Sequence, residues 1–257
     1  MSGILVLAQL QANRIRFKEN TMTNQQAPEK RASATRGWLD VHSIFSTIQG
    51  EGPFCGHPAV FVRLAGCNLQ CPGCDTEYTE GRKQMDYVQV YNKMLQSSLL
   101  DNSITKLMVV TGGEPFRQPE VVPFINWMII QHGWKVQVET NGSMQIPLEL
   151  NNDCVVVCSP KSSKLHPSAA QRANHFKYVL KAGNYLQEDG LPLQALDHRS
   201  SPYIARPPVN FRGNIYLQPM DEKDAEKNRA NIRQVVENAK MHGYIVQLQV
   251  HKYLGVE

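Results

Sequence analysis

The chain has 257 residues, 42% of them hydrophobic, and a formal net charge of +4. No apolar run reaches the ~18 residues that cross a bilayer, and six cysteines are too few for a disulfide scaffold in a chain this long. Residues 1–36 hold six basic groups (Arg14, Arg16, Lys18, Lys30, Arg31, Arg36) against two acidic ones (Glu19, Glu29), which is the whole charge excess. The body is neutral, which argues against a surface that tracks phosphates, so neither a nucleic-acid nor a membrane partner is expected.

Residues 1–36 read as an extension, either disordered or artefactual. Residues 4–7 are apolar but lack the charged start and longer apolar core of a signal peptide. Residues 20–36 are polar, and Met22 is a candidate start. One folded domain is expected over 37–257. Alternating polarity predicts a strand over 39–45. The turn after it, Ser46-Thr47-Ile48-Gln49-Gly50-Glu51-Gly52, sets a glutamine and a glutamate among glycines, where backbone and side chain can face a ligand.

The apolar run 59–66 predicts a second strand, interrupted by Arg63. A charge there is costly unless paired. Arg63 is either an edge residue that snorkels to water or a fork for a carboxylate, which guanidinium meets with two parallel hydrogen bonds. The strand's aim at the next segment favours the fork. That segment carries Cys67, Cys71 and Cys74 among Asn68, Gln70, Pro72, Gly73 and Asp75, which is loop composition. Three thiolates on one loop can converge on one metal centre. A structural zinc normally takes four protein ligands, whereas three cysteines suit a [4Fe–4S] cluster with one iron left open. Cysteines buried as small hydrophobes, and a zinc borrowing a distant fourth ligand, are the competing readings. A thiolate cluster needs a reducing compartment, so a cytoplasmic location is expected. Thr76, two residues beyond the last thiol, is either a turn former or a hydroxyl for an oxygen-rich Mg²⁺ shell.

Helical spacing follows over 86–100, then a strand over 106–110 that ends in Thr111-Gly112-Gly113-Glu114-Pro115. The glycines there would let a ligand approach the backbone, and Glu114 would accept from an ammonium. Residues 120–132 predict a second helix, and 135–142 and 154–158 predict strands, the latter closing on Ser159-Pro160-Lys161. Cys154 and Cys158 share one strand face and read as core. Strands are expected at 175–180 and 214–220, a long loop over 182–213 and a third helix over 228–242. His251 follows an apolar strand, as a surface histidine or a site residue. About six parallel strands, three main helices and polar loops at strand C-terminal ends describe an α/β chain, an incomplete (β/α)8-type barrel with its site on one rim.

These motifs together resemble the radical S-adenosylmethionine (SAM) superfamily, through the cysteine loop and the Gly112-Gly113-Glu114-Pro115 turn. Within it, Gln49-Gly50-Glu51-Gly52 and the tail His251-Lys252-Tyr253-Leu254 are similar to the 7-carboxy-7-deazaguanine synthase family. The resemblance spans 39–257. It implies a partial radical SAM barrel in which Cys67, Cys71 and Cys74 hold a [4Fe–4S] cluster whose open iron binds SAM. No protein residue is then catalytic beyond the 5′-deoxyadenosyl radical. SAM contacts fall to Gly73, Cys74, Asp75, Gly113, Glu114, Ser159, Pro160, Lys161, Gln218, Pro219, Met220 and Asp221, and a Mg²⁺ ion to Thr76. Ile48, Gln49, Gly50, Glu51, Arg63, Thr111, His251 and Glu257 would line the pocket for a pterin substrate. The implied reaction turns 6-carboxy-5,6,7,8-tetrahydropterin into 7-carboxy-7-deazaguanine with loss of ammonia, in 7-deazapurine (queuosine precursor) biosynthesis. A homodimer and an electron donor such as flavodoxin are implied as partners. Gly73 stands where many relatives have an aromatic residue, leaving a backbone contact to adenine. Glu257 stands where relatives often end in proline or alanine. A radical SAM activase shares the cysteine loop and the G-G-E turn, and a zinc-binding RNA-associated module is the alternative from another class.

Overall fold

The strands of this chain alternate in what they bury, and that alternation sorts the molecule into an apolar outer face and a polar inner one. The structure is a computed structural model that describes residues 24–33 and 35–256. Among the described residues there are nine strands: β1 Trp38–Ile48, β2 Pro58–Leu64, β3 Lys83–Asp86, β4 Leu107–Gly112, β5 Lys135–Thr140, β6 Val155–Cys158, β7 His175–Leu180, β8 Ile215–Pro219 and β9 Ile245–Val246. The helices are α1 Tyr87–Leu100, α2 Val121–His132, α3 Pro167–Arg172, α4 Ala225–His242 and α5 Val250–Leu254. All nine strands form one sheet in the order β3-β1-β2-β4-β5-β6-β7-β8-β9. From β2 to β9 every pairing is parallel, and only β1 pairs antiparallel, with β2 and β3. The expected α/β partial barrel is thus observed, open between β3 and β9, with seven parallel strands where about six were expected.

Alternate residues Val60, Val62 and Leu64 of β2, Met108 and Val110 of β4, and Val136 and Val138 of β5 pack with Val90 and Met94 of α1 and Phe124, Ile125 and Met128 of α2. Each such side chain contributes about 1.5–3 kcal/mol when fully buried. Phe176, Tyr178 and Leu180 of β7 and Leu217 of β8 make a second cluster with Val235 and Ala239 of α4. Cys154 and Cys158 are fully buried, one in each cluster, as expected of core residues. The 182–213 segment has no helix or long strand, yet Leu191, Ala195 and Ile204 close that second cluster.

The three long helices fall where spacing placed them. Asp86 and Gln89 cap α1 reciprocally, each side chain accepting the other's backbone N–H. Helix α4 begins at Ala225, a turn ahead of the apolar pattern, because Asp224 accepts the N–H groups of Glu226 and Lys227.

Two expectations are corrected. Disorder through residue 36 fails for residues 24–33, which bond to the loop after β2. Polar composition signals disorder only where no backbone groups wait for polar partners, and here they do. Residues 1–23 lie outside the described residues. The tail around His251 follows a strand of only two residues and is itself the helix α5, ended by Gly255 at φ 68°.

Candidate active site

The inner face of the sheet carries charge. The residues between those that meet the helices are Arg63 on β2, Thr111 on β4, Gln137 and Glu139 on β5, Lys177 on β7 and Gln218 on β8, with Arg63 beside Thr111 in register. Most sit at the C-terminal ends of parallel strands, where barrels build their sites. Glu139 gathers Gln49 (3.0 Å), Gln137 (3.1 Å) and Thr111 (3.2 Å) as donors. Lys177 pairs with Glu51 and is 9% exposed. Burial acts to raise the Glu51 carboxyl, but the charge and hydrogen bond of Lys177 and a bond from Gln249 (2.9 Å) outweigh it and bring it down to about 2. Glu139, Gln137 and Lys177 were not singled out in the sequence. Their signal was the one that flagged Arg63, a polar residue inside an apolar strand.

The Arg63 guanidinium stacks over the Phe45 ring at 5.1 Å, and its Nε is buried with no hydrogen-bond partner. An orphaned guanidinium donor in a protein well is a place for an anion. Gln49 and Glu51 end up buried at this well, Ile48 is the last residue of β1, and His251 packs on Gly50 so closely that a Cβ there would lie 2.0 Å from its Nδ1. Burial lowers the His251 pKa. Glu257 lies outside the described residues.

The thiol loop follows β2 directly. Burial pushes the Cys67 thiol up to about 12 and the Cys71 thiol up to about 11, and it raises Cys74 as well. Alone, such thiols keep their protons at neutral pH; bound iron would take them as thiolates. Cys71 and Cys74 are both close enough to act on the Cys67 thiol. Three thiols on one loop are one short of the four ligands that a structural zinc gathers and match a cluster with one iron left open, so the donor set fits a cluster.

The Gly112-Gly113 pair is packed closely against the chain itself. A Cβ at Gly112 would lie 2.1 Å from the Leu64 carbonyl oxygen, and one at Gly113 2.1 Å from that of Gly66. The glycines admit the end of β2 and the Gly66 peptide that follows it. The Glu114 carboxylate is likewise taken: it is fully buried and accepts from Thr140 Oγ1 (2.8 Å), Asn141 N (2.7 Å) and Phe116 N (3.1 Å). It acts on the site through Asn141, whose amide donates to Asn68 in the thiol loop (3.0 Å). The Gly73 N–H donates to the Leu196 carbonyl (2.8 Å), and the space of a side chain there is held by Leu196 and Met220. A side chain there would crowd both, at the position where many relatives carry an aromatic residue. Lys161 Nζ donates to the Ser159 carbonyl (2.7 Å) and hydroxyl (2.6 Å), beside Pro160. Gln218 is buried with its Oε1 unpartnered. Beyond Pro219, Asp221 is held well below the usual carboxylate range: burial opposes this, but bonds from Lys223, Asn228 and Lys252 outweigh it. Lys252 also reaches Asp75 (3.3 Å), so α5 is tied to both the thiol loop and the end of β8. The Thr76 hydroxyl donates to Asp75 (3.4 Å).

A buried three-thiol loop on the rim of an open parallel barrel, beside a G-G-E-P turn, defines an iron–sulfur enzyme of the radical SAM class. Residues 48–159 match the family described as a 4Fe-4S single cluster domain. The 7-carboxy-7-deazaguanine synthase of Rhodospirillum rubrum is 35% identical over 227 residues, covering 85% of this chain and 92% of that protein. That of Rickettsia prowazekii is 34% identical over 226 residues, covering 85% and 89%. The crystal structure of QueE from Escherichia coli shares the fold at a TM-score of 0.61 and 20% identity, over 83% of this chain and 94% of that one. The chain belongs to the 7-carboxy-7-deazaguanine synthase family. The zinc-binding alternative falls with that membership.

Proposed function

We propose that this chain converts 6-carboxy-5,6,7,8-tetrahydropterin to 7-carboxy-7-deazaguanine. The product is the substrate less one ammonia, so the net reaction needs no external oxidant. The observation that carries the reading is the unpartnered Arg63 Nε in a well of fixed polar groups beside the three thiols. Cys67, Cys71 and Cys74 would hold a [4Fe–4S] cluster, which with bound SAM supplies a hydrogen-abstracting radical. Arg63 takes the substrate carboxylate. Gln49, Glu51 and Thr111, held by Glu139, Lys177 and Gln249, present a fixed pattern of donors and acceptors to the ring. His251, with the backbone of Ile48 and Gly50, covers it and excludes water. Ser159, Pro160, Lys161, Gln218, Pro219 and Met220 line the SAM side, with Gly113 and Glu114 supporting it. Asp75 and Asp221 serve there through the Lys252 tie, and Thr76 offers a hydroxyl to Mg²⁺. A homodimer is the working assembly, and a flavodoxin-type protein delivers the electron.

The test is anaerobic reconstitution with iron and sulfide, then incubation with SAM, a reductant, Mg²⁺ and the carboxytetrahydropterin, read by mass spectrometry. A deazaguanine acid that forms only in the complete mixture is the expected result. SAM cleavage with the pterin untouched would remove the substrate assignment and keep the radical chemistry.

A further inference from the structure

The bonds of residues 24–33 converge on the thiol loop. Asn24, 9% exposed, donates its N–H to the Pro72 carbonyl (3.1 Å) and its side-chain amide to the Cys71 carbonyl (3.2 Å), and its own carbonyl accepts from Gln70 (3.1 Å). Gln26 Nε2 donates to the Thr76 carbonyl (2.8 Å) while Gln26 Oε1 accepts the Tyr78 N–H (2.9 Å). The Glu29 N–H donates to the Cys67 carbonyl (2.7 Å). Arg117, 3% exposed, pins the far end. Its guanidinium donates to the carbonyls of Lys30 (3.0 Å) and Ala65 (2.9 Å) and pairs with Glu29 (3.2 Å), and its own carbonyl accepts from Ala32 (2.9 Å).

A loop has no ladder to take up its carbonyls, and a buried carbonyl left unpaired costs about 1–3 kcal/mol. Here the partners come from a separate stretch of chain. The held carbonyls of Cys67 and Cys71 fix the peptide planes that leave those cysteines, those of Pro72 and Thr76 fix the chain on either side of Cys74, and with them the direction in which the thiols leave the backbone. We propose that residues 24–32 are a strap that positions the iron–sulfur ligands: Asn24 and Gln26 hold the backbone of residues 71–76, and Glu29 holds that of Cys67. The inference rests on the thiol loop carrying a cluster, as proposed above.

The test compares the parent chain, Asn24→Ala/Gln26→Ala and Gln26→Glu, all full length and reconstituted anaerobically. Gln26→Glu keeps the acceptor for Tyr78 and loses the donor for Thr76. The readouts are the rate at which an iron chelator bleaches the visible absorption, the EPR spectrum of the reduced protein, and thermal unfolding of the iron-free chain. The double variant is expected to lose iron about ten-fold faster, with an altered spectrum and an iron-free chain whose unfolding midpoint falls but which stays folded at the temperature of the iron measurement, and Gln26→Glu to fall between it and the parent. Parent-like rates and spectra in both variants would overturn the strap. So would iron loss that rises only in step with global unfolding. A parent chain that takes up no iron overturns the thiol-loop reading itself, and that failure is visible in the first sample.

Discussion

Two polar regions share one barrel rim and are finished differently. At the G-G-E-P turn the Glu114 carboxylate is fully buried and carries three donors from within the chain. In the well below, Arg63 Nε, Gln137 Oε1 and Gln218 Oε1 are buried with no hydrogen-bond partner among the described residues. A buried polar atom left unpaired costs about 1–3 kcal/mol, so a fold keeps such atoms where something else completes them. The Glu114 carboxylate is spent inside the chain, whereas the unpartnered atoms of the well keep capacity for a further partner.

That contrast can be broken at several points. Cys71→Ser has the largest expected effect: iron per chain falls to background after reconstitution, and product formation is lost, by iron analysis and mass spectrometry. Lys177→Met comes next. It leaves Glu51 as an unpaired buried carboxylate, and removing one partner of a buried pair costs about 3–5 kcal/mol, read by denaturant unfolding at pH 7. The pH dependence has a definite sign. In the parent, Glu51 is lowered from its ordinary 4.5 to about 2, so its contribution is complete above 4.5 and is lost as pH falls from there toward 2. In the variant, burial without Lys177 raises Glu51, so acidification from pH 7 recovers part of the lost stability. A variant that weakens further over that range would contradict the pairing.

Arg63→Ala sharpens the contrast. Charged hydrogen bonds are each worth about 1.5–3 kcal/mol, so KM for the pterin should rise about 10- to 100-fold. SAM cleavage without the pterin should stay at the parent rate; equal loss of both would make Arg63 scaffold. Lys252→Met is the mildest. Its pairs with Asp75 and Asp221 are partly exposed, so about 0.2–1 kcal/mol is at stake. KM should rise less than about five-fold, and raising the salt should shrink the difference.

Much of what meets at the rim was legible. Cysteine spacing and Arg63 inside an apolar run each point to a chemistry within a few residues. The helices α1, α2 and α4 were legible because period 3.6 is local. Glu139 and Lys177 carried the same signal as Arg63 but no neighbouring motif to give it a direction, and their partners lie across the sheet. Residues 24–33 misled for the same reason: Asn24 and Gln26 read as solvated until the carbonyls they serve are in view. The short edge strand β3 carried too little apolar signal to register.

By itself, then, the sequence determined the main strands and helices, the thiol loop and the polar side chains set among apolar runs, since these depend on spacing along the chain. Only the tertiary structure decided which polar groups meet. Gln49 reaches Glu139 across 90 positions and Glu51 reaches Lys177 across 126. Strand order and register bring them together, and those follow from how the helices cover the sheet rather than from any local pattern.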